Sequence, residues 1–337
     1  MAKTVRLADI ATSLGVSMVT VSRALNGKSG VSDEMREKIK ELSREMGYRP
    51  ASWSKSLRPA GSTGHIGIVI PNHFLELGSA SFYWEMYQRV LTYLQNQHCY
   101  GLLEVLKDAD ERNLVLPRML QDCKVDGLIL IGQLKESYLE VLYETEIPLM
   151  FLDSYNGRSG KSSIISDGYY GMYAIVSYLL NMGYKDIHFV GSIGATSSIS
   201  DRYFGYCRAM NEHKIPVTER MVVPDRDKDG NIHIALPEQL PSAYACNCDL
   251  VAYQVIGLLK ERGVQVPDDI SIVGFDDFIR IPNQDTPQIT TYAVDIDAMA
   301  SSAVNDIIQK IRDKNYRPCL KVITGHLEIK DTVNPLS

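Results

Sequence analysis

Several polar side chains follow apolar runs of the kind that form buried strands. Asp153 comes directly after Leu-Met-Phe-Leu, Asp276 comes directly after Ser-Ile-Val-Gly-Phe, and Arg202 follows an apolar run and a Ser/Thr-rich loop. Carboxylates and guanidinium groups each present two parallel hydrogen-bonding atoms, so a set of them in an enclosed site can clamp sugar hydroxyls. Any one of them alone is more simply a helix cap or a surface charge. Their recurrence at strand ends favours a binding site with Arg202 and Asp276, whereas Asp153 fits both interpretations equally.

Motifs of nucleotide-dependent or nucleophilic enzymes do not occur in the sequence. No Gly-x-Gly-x-x-Gly follows a strand-like run, the Walker A pattern is missing, and no Ser/His/Asp or Cys/His set stands out among seven histidines. The six cysteines are scattered, and the pair Cys246 and Cys248 lacks the second Cys/His cluster that a zinc site needs. We therefore predict no enzyme, metal or cofactor. An α/β enzyme that modifies sugars or nucleotides remains the weaker alternative, since residues brought together in space leave no linear motif.

The residues that could bind a ligand lie in a region where strand and helix patterns alternate. The apolar runs of strand type are His65–Ile70, Gly101–Leu106, Gly127–Ile131, Leu149–Leu152, Ile187–Val190 and Ile270–Phe275. Amphipathic helical patterns lie near 82–97, 110–121, 136–144, 169–182, 202–213, 249–262 and 297–313. This alternation predicts a doubly wound α/β fold, in which ligands bind beyond the carboxyl ends of the strands.

The first 49 residues have a different pattern, that of three short helices. Leu7–Leu14 has one apolar face and is followed by Gly15, which suits the left-handed turn that ends a helix. Ser17 is placed to cap a second helix that runs to about Leu25, and Ser32 is placed to cap a third. Two short helices joined by a tight turn and packed by a third form the helix-turn-helix, whose second helix enters the major groove of DNA.

The outward side of the second helix and the charge of the head both favour nucleic acid as the partner. That side carries Met18, Val19, Ser22 and Arg23 instead of the mixed charges of a solvated face, which argues against a generic three-helix bundle. Residues 1–60 have a net charge of +5, while the rest of the chain has −11. Because contacts to phosphates need positive charge, a cationic head on an acidic body indicates a polyanionic partner for the head alone.

The head also resembles a known family of bacterial repressors. The run Leu7-Ala-Asp-Ile-Ala-Thr-Ser-Leu-Gly-Val-Ser-Met-Val-Thr-Val-Ser-Arg-Ala-Leu-Asn26 is similar to the N-terminal signature of the LacI/GalR family, and the resemblance runs over nearly the whole chain. It implies an all-α helix-turn-helix head at 1–49, a hinge helix at 50–60 and an α/β periplasmic-binding-protein-like body at 61–337. The body would consist of two doubly wound parallel-sheet subdomains, about 61–158 plus 293–320 and 159–292 plus 321–337.

The resemblance assigns DNA-binding roles to residues of the head and hinge. Met18, Val19 and Arg23 occupy the base-reading positions; Arg23 can bind guanine bidentately, and the two apolar residues suit shape and thymine methyls. The residues expected to contact phosphates or to fix the packing are Ser17, Thr20, Ser22 and Asn26. Leu57 matches the position whose apolar side chain wedges into the minor groove.

The resemblance likewise assigns effector-binding roles to residues of the body. Asp276 lies in the Phe-Asp-Asp motif, Arg202 opens the Arg-Tyr-Phe-Gly-Tyr motif, and Phe82 with Tyr83 forms an aromatic pair on which a sugar ring or base could stack. Cys248 stands where relatives often have an Asn that contacts the ligand. The segment 222–244 is shorter than in most relatives and shows no amphipathic helix, so we expect part of the far wall of the cleft to be missing or rebuilt.

These assignments lead to one predicted function. The chain is expected to be a cytoplasmic homodimer, without a membrane partner, that binds a pseudo-palindromic operator and represses genes of carbohydrate metabolism under control of a sugar-like effector. The alternative is a corepressor-dependent regulator that responds to a nucleobase or to a phosphorylated protein partner.

Overall fold

The protein divides into two compact units, Met1–Ser62 and Thr63–Ser337. The computed structural model describes residues 7–25, 29–46, 63–75, 82–155, 162–227, 230–278, 287–313 and 315–336. Within these residues no helix is long and apolar enough to cross a membrane. The predicted hinge helix at 50–60 lies outside the described residues.

Unit 1 contains the three predicted helices, which are α1 (Leu7–Leu14), α2 (Met18–Leu25) and α3 (Asp33–Glu45). Gly15 ends α1 with φ +65°. Oγ of Ser17 accepts a hydrogen bond from the backbone N–H of Thr20 at 3.0 Å, as a cap at the start of α2 must. Oγ of Ser32 accepts from the N–H of Met35 at 3.4 Å and caps α3 in the same way.

The core of unit 1 is built from one stripe of each helix. Ile10, Val21 and Ile39 are fully buried, and Leu14, Leu25 and other side chains pack around them. Each stripe follows the helical period that the sequence predicts. In α2 the buried pair is Val21 and Ala24, while Leu25 is only partly buried, so the opposite side of α2 faces solvent.

Unit 2 alternates strands and helices. Its helices are α4 (Phe82–Asn96), α5 (Asp108–Arg112), α6 (Arg118–Gln121), α7 (Glu136–Glu144), α8 (Gly168–Asn181), α9 (Ser197–Glu212), α10 (Asp249–Glu261) and α11 (Ile296–Arg312). Its strands are β1 (His65–Pro71), β2 (Tyr100–Leu106), β3 (Gly127–Ile131), β4 (Leu149–Leu152), β5 (Ser162–Ser166), β6 (Ile187–Val190), β7 (Val222–Val223), β8 (Ala243–Cys246), β9 (Ser271–Asp276), β10 (Thr290–Ala293), β11 (Leu320–Ile323) and β12 (His326–Glu328). The predicted helix at 110–121 is two short helices, and the one predicted from 202 begins at Ser197.

The strands form two sheets, one for each lobe of the unit. The first sheet has the order β11-β5-β4-β3-β1-β2 and is parallel throughout. The second has the order β12-β10-β9-β8-β6-β7 and is parallel except for β12. Helices cover both faces of each sheet, so the strands are buried on two sides and read as continuous apolar runs. The predicted fold class is confirmed.

The chain crosses between the lobes later than the sequence suggests. β5 and β11 both belong to the first sheet, so this lobe extends to Ser166 and again to Ile323, beyond the expected ends at 158 and 320. β5 has the sequence Ser-Ser-Ile-Ile-Ser, and its serines hide the strand from an apolar pattern. The second of the three crossings follows Ala293, next to the expected 292/293 boundary.

Candidate functional site

A cavity of about 780 Å³ lies between the two lobes of unit 2. All six residues expected to bind the effector line it: Phe82, Tyr83, Asp153, Arg202, Cys248 and Asp276. They come from both sheets, because the carboxyl ends of parallel strands in each lobe face the gap between the lobes. The position of the cavity is therefore a consequence of the topology.

Arg202 and Asp276 form a buried ion pair on the second-lobe side of the cavity. Nη2 of Arg202 donates to Oδ1 of Asp276 at 2.8 Å, and Nη1 donates to the carbonyl of Asn247 at 2.6 Å. The guanidinium also stacks on Phe275, 3.9 Å from the ring centroid. Arg202 lies in the second turn of α9, whose first N–H groups are capped by Thr196, and not at the helix start that we expected.

Asp276 is the last residue of β9 and has a backbone φ of 105°. Asp249 supports this turn, since its Oδ2 accepts from the N–H of Asp277 at 2.8 Å and its Oδ1 accepts from Oγ1 of Thr291 at 2.7 Å. A Cβ at Gly274 would collide with the Asp249 carboxylate, so a side chain there is excluded. Burial raises the pKa of Asp276 to about 7 in spite of the attraction of Arg202.

Asp153 joins the site from the first lobe. It follows β4 with φ 61°, and its Oδ2 accepts a hydrogen bond from the hydroxyl of Tyr83 at 3.0 Å. Burial raises the pKa of Asp153 to about 6, against the opposing effect of Arg202. The two carboxyls and one guanidinium thus present hydrogen-bond acceptors and donors from opposite sides of one enclosed space.

The aromatic pair divides its roles between core and cleft. Phe82 is mostly buried, belongs to the core of the first lobe and makes an edge contact with Phe278 of the second lobe, with ring centroids 5.7 Å apart. Tyr83 stacks against Phe74 with centroids 4.4 Å apart. The cleft therefore has an aromatic edge of four rings, Phe74, Phe82, Tyr83 and Phe278.

Cys248 is the N-cap residue of α10, and its side chain makes no capping hydrogen bond. Burial raises its pKa to about 12, so the thiol is neutral at the edge of the cavity. The preceding residue, Asn247, is the better connected of the two, because its Nδ2 donates to the Val190 carbonyl and to Oδ2 of Asp225, both at 2.9 Å. Asn247 was not among the expected site residues, since an Asn in an unfamiliar Cys-Asn-Cys context carries no strong signal.

The described residues between 222 and 244, which form the far wall of the cleft, contain no helix, as expected. Asp225 is fully buried and accepts from the N–H of Ser192 at 2.7 Å. Arg226 pairs with Ile232 through an antiparallel bridge, and both line the cavity together with Asn231. None of these residues was singled out from the sequence, because loop residues follow no period.

Direct contacts hold the two lobes together over the cavity. The hydroxyl of Tyr155, after β4, donates to Oδ1 of Asp201 in α9 at 3.0 Å. Oγ of Ser197 donates to Oε1 of Gln133, which follows β3, at 3.3 Å. With the contact between Phe82 and Phe278, these bonds span the opening, so the structure is that of a closed cleft.

The residues expected to read DNA lie on one exposed side of unit 1. Met18 and Val19 are 58% and 60% exposed, so these apolar side chains do not pack in the core of unit 1. Arg23, one turn after Val19 in α2, is exposed as well. The hydroxyls of Ser17 and Thr20 lie 2.9 Å apart at the start of α2, and Ser22 is half-buried. Asn26 and Leu57 lie outside the described residues.

Known proteins share both the sequence signature and this architecture. The model for bacterial regulatory proteins of the lacI family matches residues 6–51, and that for periplasmic binding protein-like domains matches residues 176–333. The HTH-type transcriptional repressor PurR of Vibrio parahaemolyticus serotype O3:K6 (strain RIMD 2210633) is 27% identical over 341 residues, which cover 98% of each chain.

Solved structures have the same fold. The Lac repressor dimer bound to operator and the anti-inducer ONPF has a TM-score of 0.70 at 22% identity, over 98% of this chain and 99% of that one. The transcriptional regulator CelR in complex with cellobiose has a TM-score of 0.68 at 20% identity, over 97% of this chain and 99% of that one.

A helix-turn-helix head in one chain with a two-lobed α/β body defines a DNA-binding transcription regulator and not an enzyme. The chain belongs to the lacI family of bacterial regulatory proteins.

Proposed function

We propose that the protein is a cytoplasmic repressor of carbohydrate-metabolism genes that binds a sugar-like effector in the cleft of unit 2. The observation that carries this proposal is the set of Arg202, Asp276 and Asp153 around one enclosed cavity. Adjacent hydroxyls of a sugar match the paired oxygens of the carboxylates and the paired N–H groups of the guanidinium. The aromatic edge offers an apolar surface for the C–H face of a sugar ring.

Regulation follows from the closed cleft. A ligand that binds one degree of closure better than another shifts the population of lobe arrangements. The ligand then changes the affinity for DNA by the same factor by which DNA changes the affinity for the ligand. Contacts such as Tyr155 to Asp201 exist only while the lobes are together, so they respond to that shift. As a homodimer, the protein would place two heads on the halves of a pseudo-palindromic operator.

A thermal-shift screen of mono- and disaccharides tests the effector site. The screen compares the wild type with Arg202→Ala and Asp276→Ala, and Arg208→Ala on the exposed side of the same helix serves as the control. We expect a sugar that raises Tm of the wild type and of the control but not of the two cleft variants. Equal stabilisation of all four proteins would place the ligand elsewhere.

The repressor role is tested on an operator selected from a random duplex library. Fluorescence anisotropy at fixed salt should show preference for the selected duplex over random competitor, and the sugar from the screen should change that affinity. Absence of any sequence preference, with and without sugars, would contradict the proposal.

A nucleobase corepressor is a second candidate because of the aromatic edge. A flat base stacks on rings such as Phe74 and Tyr83, and its ring nitrogens can bond to Asp153 or Asp276. Adding purine and pyrimidine bases to the screen separates the two candidates. A base that stabilises the protein and tightens operator binding, with no sugar doing so, would favour the corepressor.

A further inference from the structure

The far wall of the cleft contains a turn that is closed by hydrogen bonds between Asp227 and Asn231. The N–H of Asp227 bonds to the carbonyl of Asn231, and Oδ1 of Asp227 accepts from the N–H of Asn231, both at 2.9 Å. Further along, Arg262 of the segment after α10 donates to the carbonyls of Leu236 and Pro237. These bonds hold the backbone on either side of the turn, at Asp227, Asn231, Leu236 and Pro237.

The base of this turn is saturated with hydrogen bonds. Oδ1 of Asp225 accepts from the N–H of Ser192, and Oδ2 accepts from Nδ2 of Asn247. Oγ of Ser192 in return accepts from the N–H groups of Asp225 and Arg226, at 3.1 and 3.0 Å. Each oxygen of the Asp225 carboxylate thus already has a donor from another residue.

Arg226 is the cation on this wall whose hydrogen-bonding capacity is unused. Its Nε lies 3.3 Å from Oδ2 of Asp225, yet this buried N–H makes no hydrogen bond, and no acceptor among the described residues engages the terminal nitrogens. The side chain is only 22% exposed and lines the cavity. By contrast, both terminal nitrogens of Arg202 have acceptors. The ion pair with Asp225 balances the charge of Arg226 but leaves its terminal N–H groups without acceptors, which is costly in a mostly buried side chain unless a ligand supplies them.

Two helix N-termini border the same side of the cavity. Thr196 and Ser198 bring the start of α9 to it, and Cys248 and Leu250 bring the start of α10. The cap of α10 is a thiol, which is a weak acceptor, and the carboxyl of Asp249 in the first turn bonds to Asp277 and Thr291 and does not line the cavity. Both dipoles add to the charge of Arg226 and favour a negative group on the ligand.

We propose that Arg226 binds an acidic group, a carboxylate or a phosphate, on the sugar that occupies the cleft. This inference rests on the proposed effector site and makes it specific for sugar acids or sugar phosphates. Two oxygens of either group match the planar fork of the guanidinium bidentately, which a single hydroxyl does not. Arg202 and the carboxylates near it then hold the neutral part of the ligand.

Two measurements test the role of Arg226 on the full-length protein. The first is Tm in 20 mM inorganic phosphate against NaCl of equal ionic strength, for the wild type, Arg226→Gln and the control Arg208→Gln on the exposed side of α9. We expect phosphate to raise Tm of the wild type and the control by about 2 °C and that of Arg226→Gln by much less. Phosphate bound to the basic head contributes equally to all three proteins, so only the difference counts. An equal shift, or none, in all three overturns the assignment.

The second measurement uses matched sets of one hexose, its uronic acid and its 6-phosphate, for glucose, galactose and mannose. We expect an acidic member to bind the wild type at least ten-fold more tightly than its neutral parent, and Arg226→Gln to abolish this preference. Arg226→Lys keeps the positive charge but not the planar guanidinium, so this variant should retain part of the preference for the acidic sugar. Which member binds best distinguishes carboxylate from phosphate. If neutral sugars bind best in every set, the inference about Arg226 fails while the effector site stands; if Arg202→Ala also leaves binding unchanged, the site itself fails.

Discussion

Nη2 of Arg202 and Oδ1 of Asp276 are 2.8 Å apart, and this ion pair ties helix α9 to the end of strand β9. Both side chains are nearly inaccessible to solvent, at 5% and 7% exposure. Taking the two charges out of water costs more than an isolated pair regains, and the stacking on Phe275 and the bond to the Asn247 carbonyl offset part of that cost. The pair is therefore expensive for stability, which fits the proposed role of both residues in effector binding.

Removal of Arg202 should destabilise unit 2 strongly. In Arg202→Ala, the carboxyl of Asp276 is buried without its partner and must either take up a proton or stay as an unpaired charge, and we expect a loss of about 3 kcal/mol in the free energy of unfolding at pH 7.5. Urea unfolding followed by circular dichroism measures it. Arg208→Ala, on the exposed side of the same helix, should cost less than about 0.5 kcal/mol. Equal effects of the two substitutions would mean that the pair contributes nothing.

The sequence allowed both members of the ion pair to be expected at the site, though not their pairing, because strands and strand ends follow simple rules. A parallel strand covered on both faces is a continuous apolar run, and the residue after it points into the gap between lobes. Asp153 and Asp276 were found in this way. Arg202 was correctly expected to line the cleft, but its helix was predicted to begin at 202. The helix begins at Ser197, so part of the Ser/Thr-rich segment before Arg202 forms the first turn of α9.

Other parts of the site have no such rule. Asp225, Arg226 and Asn247 depend on one network of hydrogen bonds between a loop and two strand ends, and this pairing is non-local. β5 was missed because its buried serines carry no apolar signal, and with it the point at which the chain crosses between lobes. Local periodicity predicts elements, whereas loop networks and crossings need the folded chain.

The stability of unit 2 should fall as pH rises from 5 to 8. The pKa of Asp153 is raised to about 6 and that of Asp276 to about 7, so the folded state keeps protons that the unfolded state has already released. Stability is lost as the pH passes through these folded-state values, because the charged carboxyls are then buried. For Asp276 the contribution is on the order of 2 kcal/mol.

Asp276→Asn isolates this contribution. The difference in unfolding free energy between wild type and variant, measured in urea at pH 5, 6, 7 and 8, should change in favour of the variant with rising pH. The exposed Asp297→Asn provides the comparison for a carboxylate at the surface. A difference that stays constant over this range would show that Asp276 remains ionised throughout.

Loss of the hydroxyl of Tyr155 should weaken closure of the cleft. Tyr155→Phe removes the hydrogen bond to Asp201, which joins the two lobes at 3.0 Å, and keeps the ring in place. Because closure and ligand binding are linked, we expect an affinity for the effector that is about three- to ten-fold lower, with a change of less than about 1 kcal/mol in stability. Isothermal titration calorimetry with the sugar from the screen measures the first. Tyr173→Phe, whose hydroxyl bonds to Glu212 within the second lobe, should leave the affinity unchanged.

Arg23 should contribute to specificity more than to overall DNA affinity. It is exposed on the same side of α2 as Met18 and Val19, where a bidentate contact to guanine is worth about 1–3 kcal/mol. Arg23→Ala should therefore weaken binding to the selected operator about ten- to hundred-fold, and to random duplex much less. Lys38→Ala, an exposed residue of α3 paired with Glu34, removes one charge from the head without touching this surface and should affect both duplexes slightly and alike. If Arg23→Ala weakens binding to both duplexes by the same factor, Arg23 contacts phosphate and other residues read the bases.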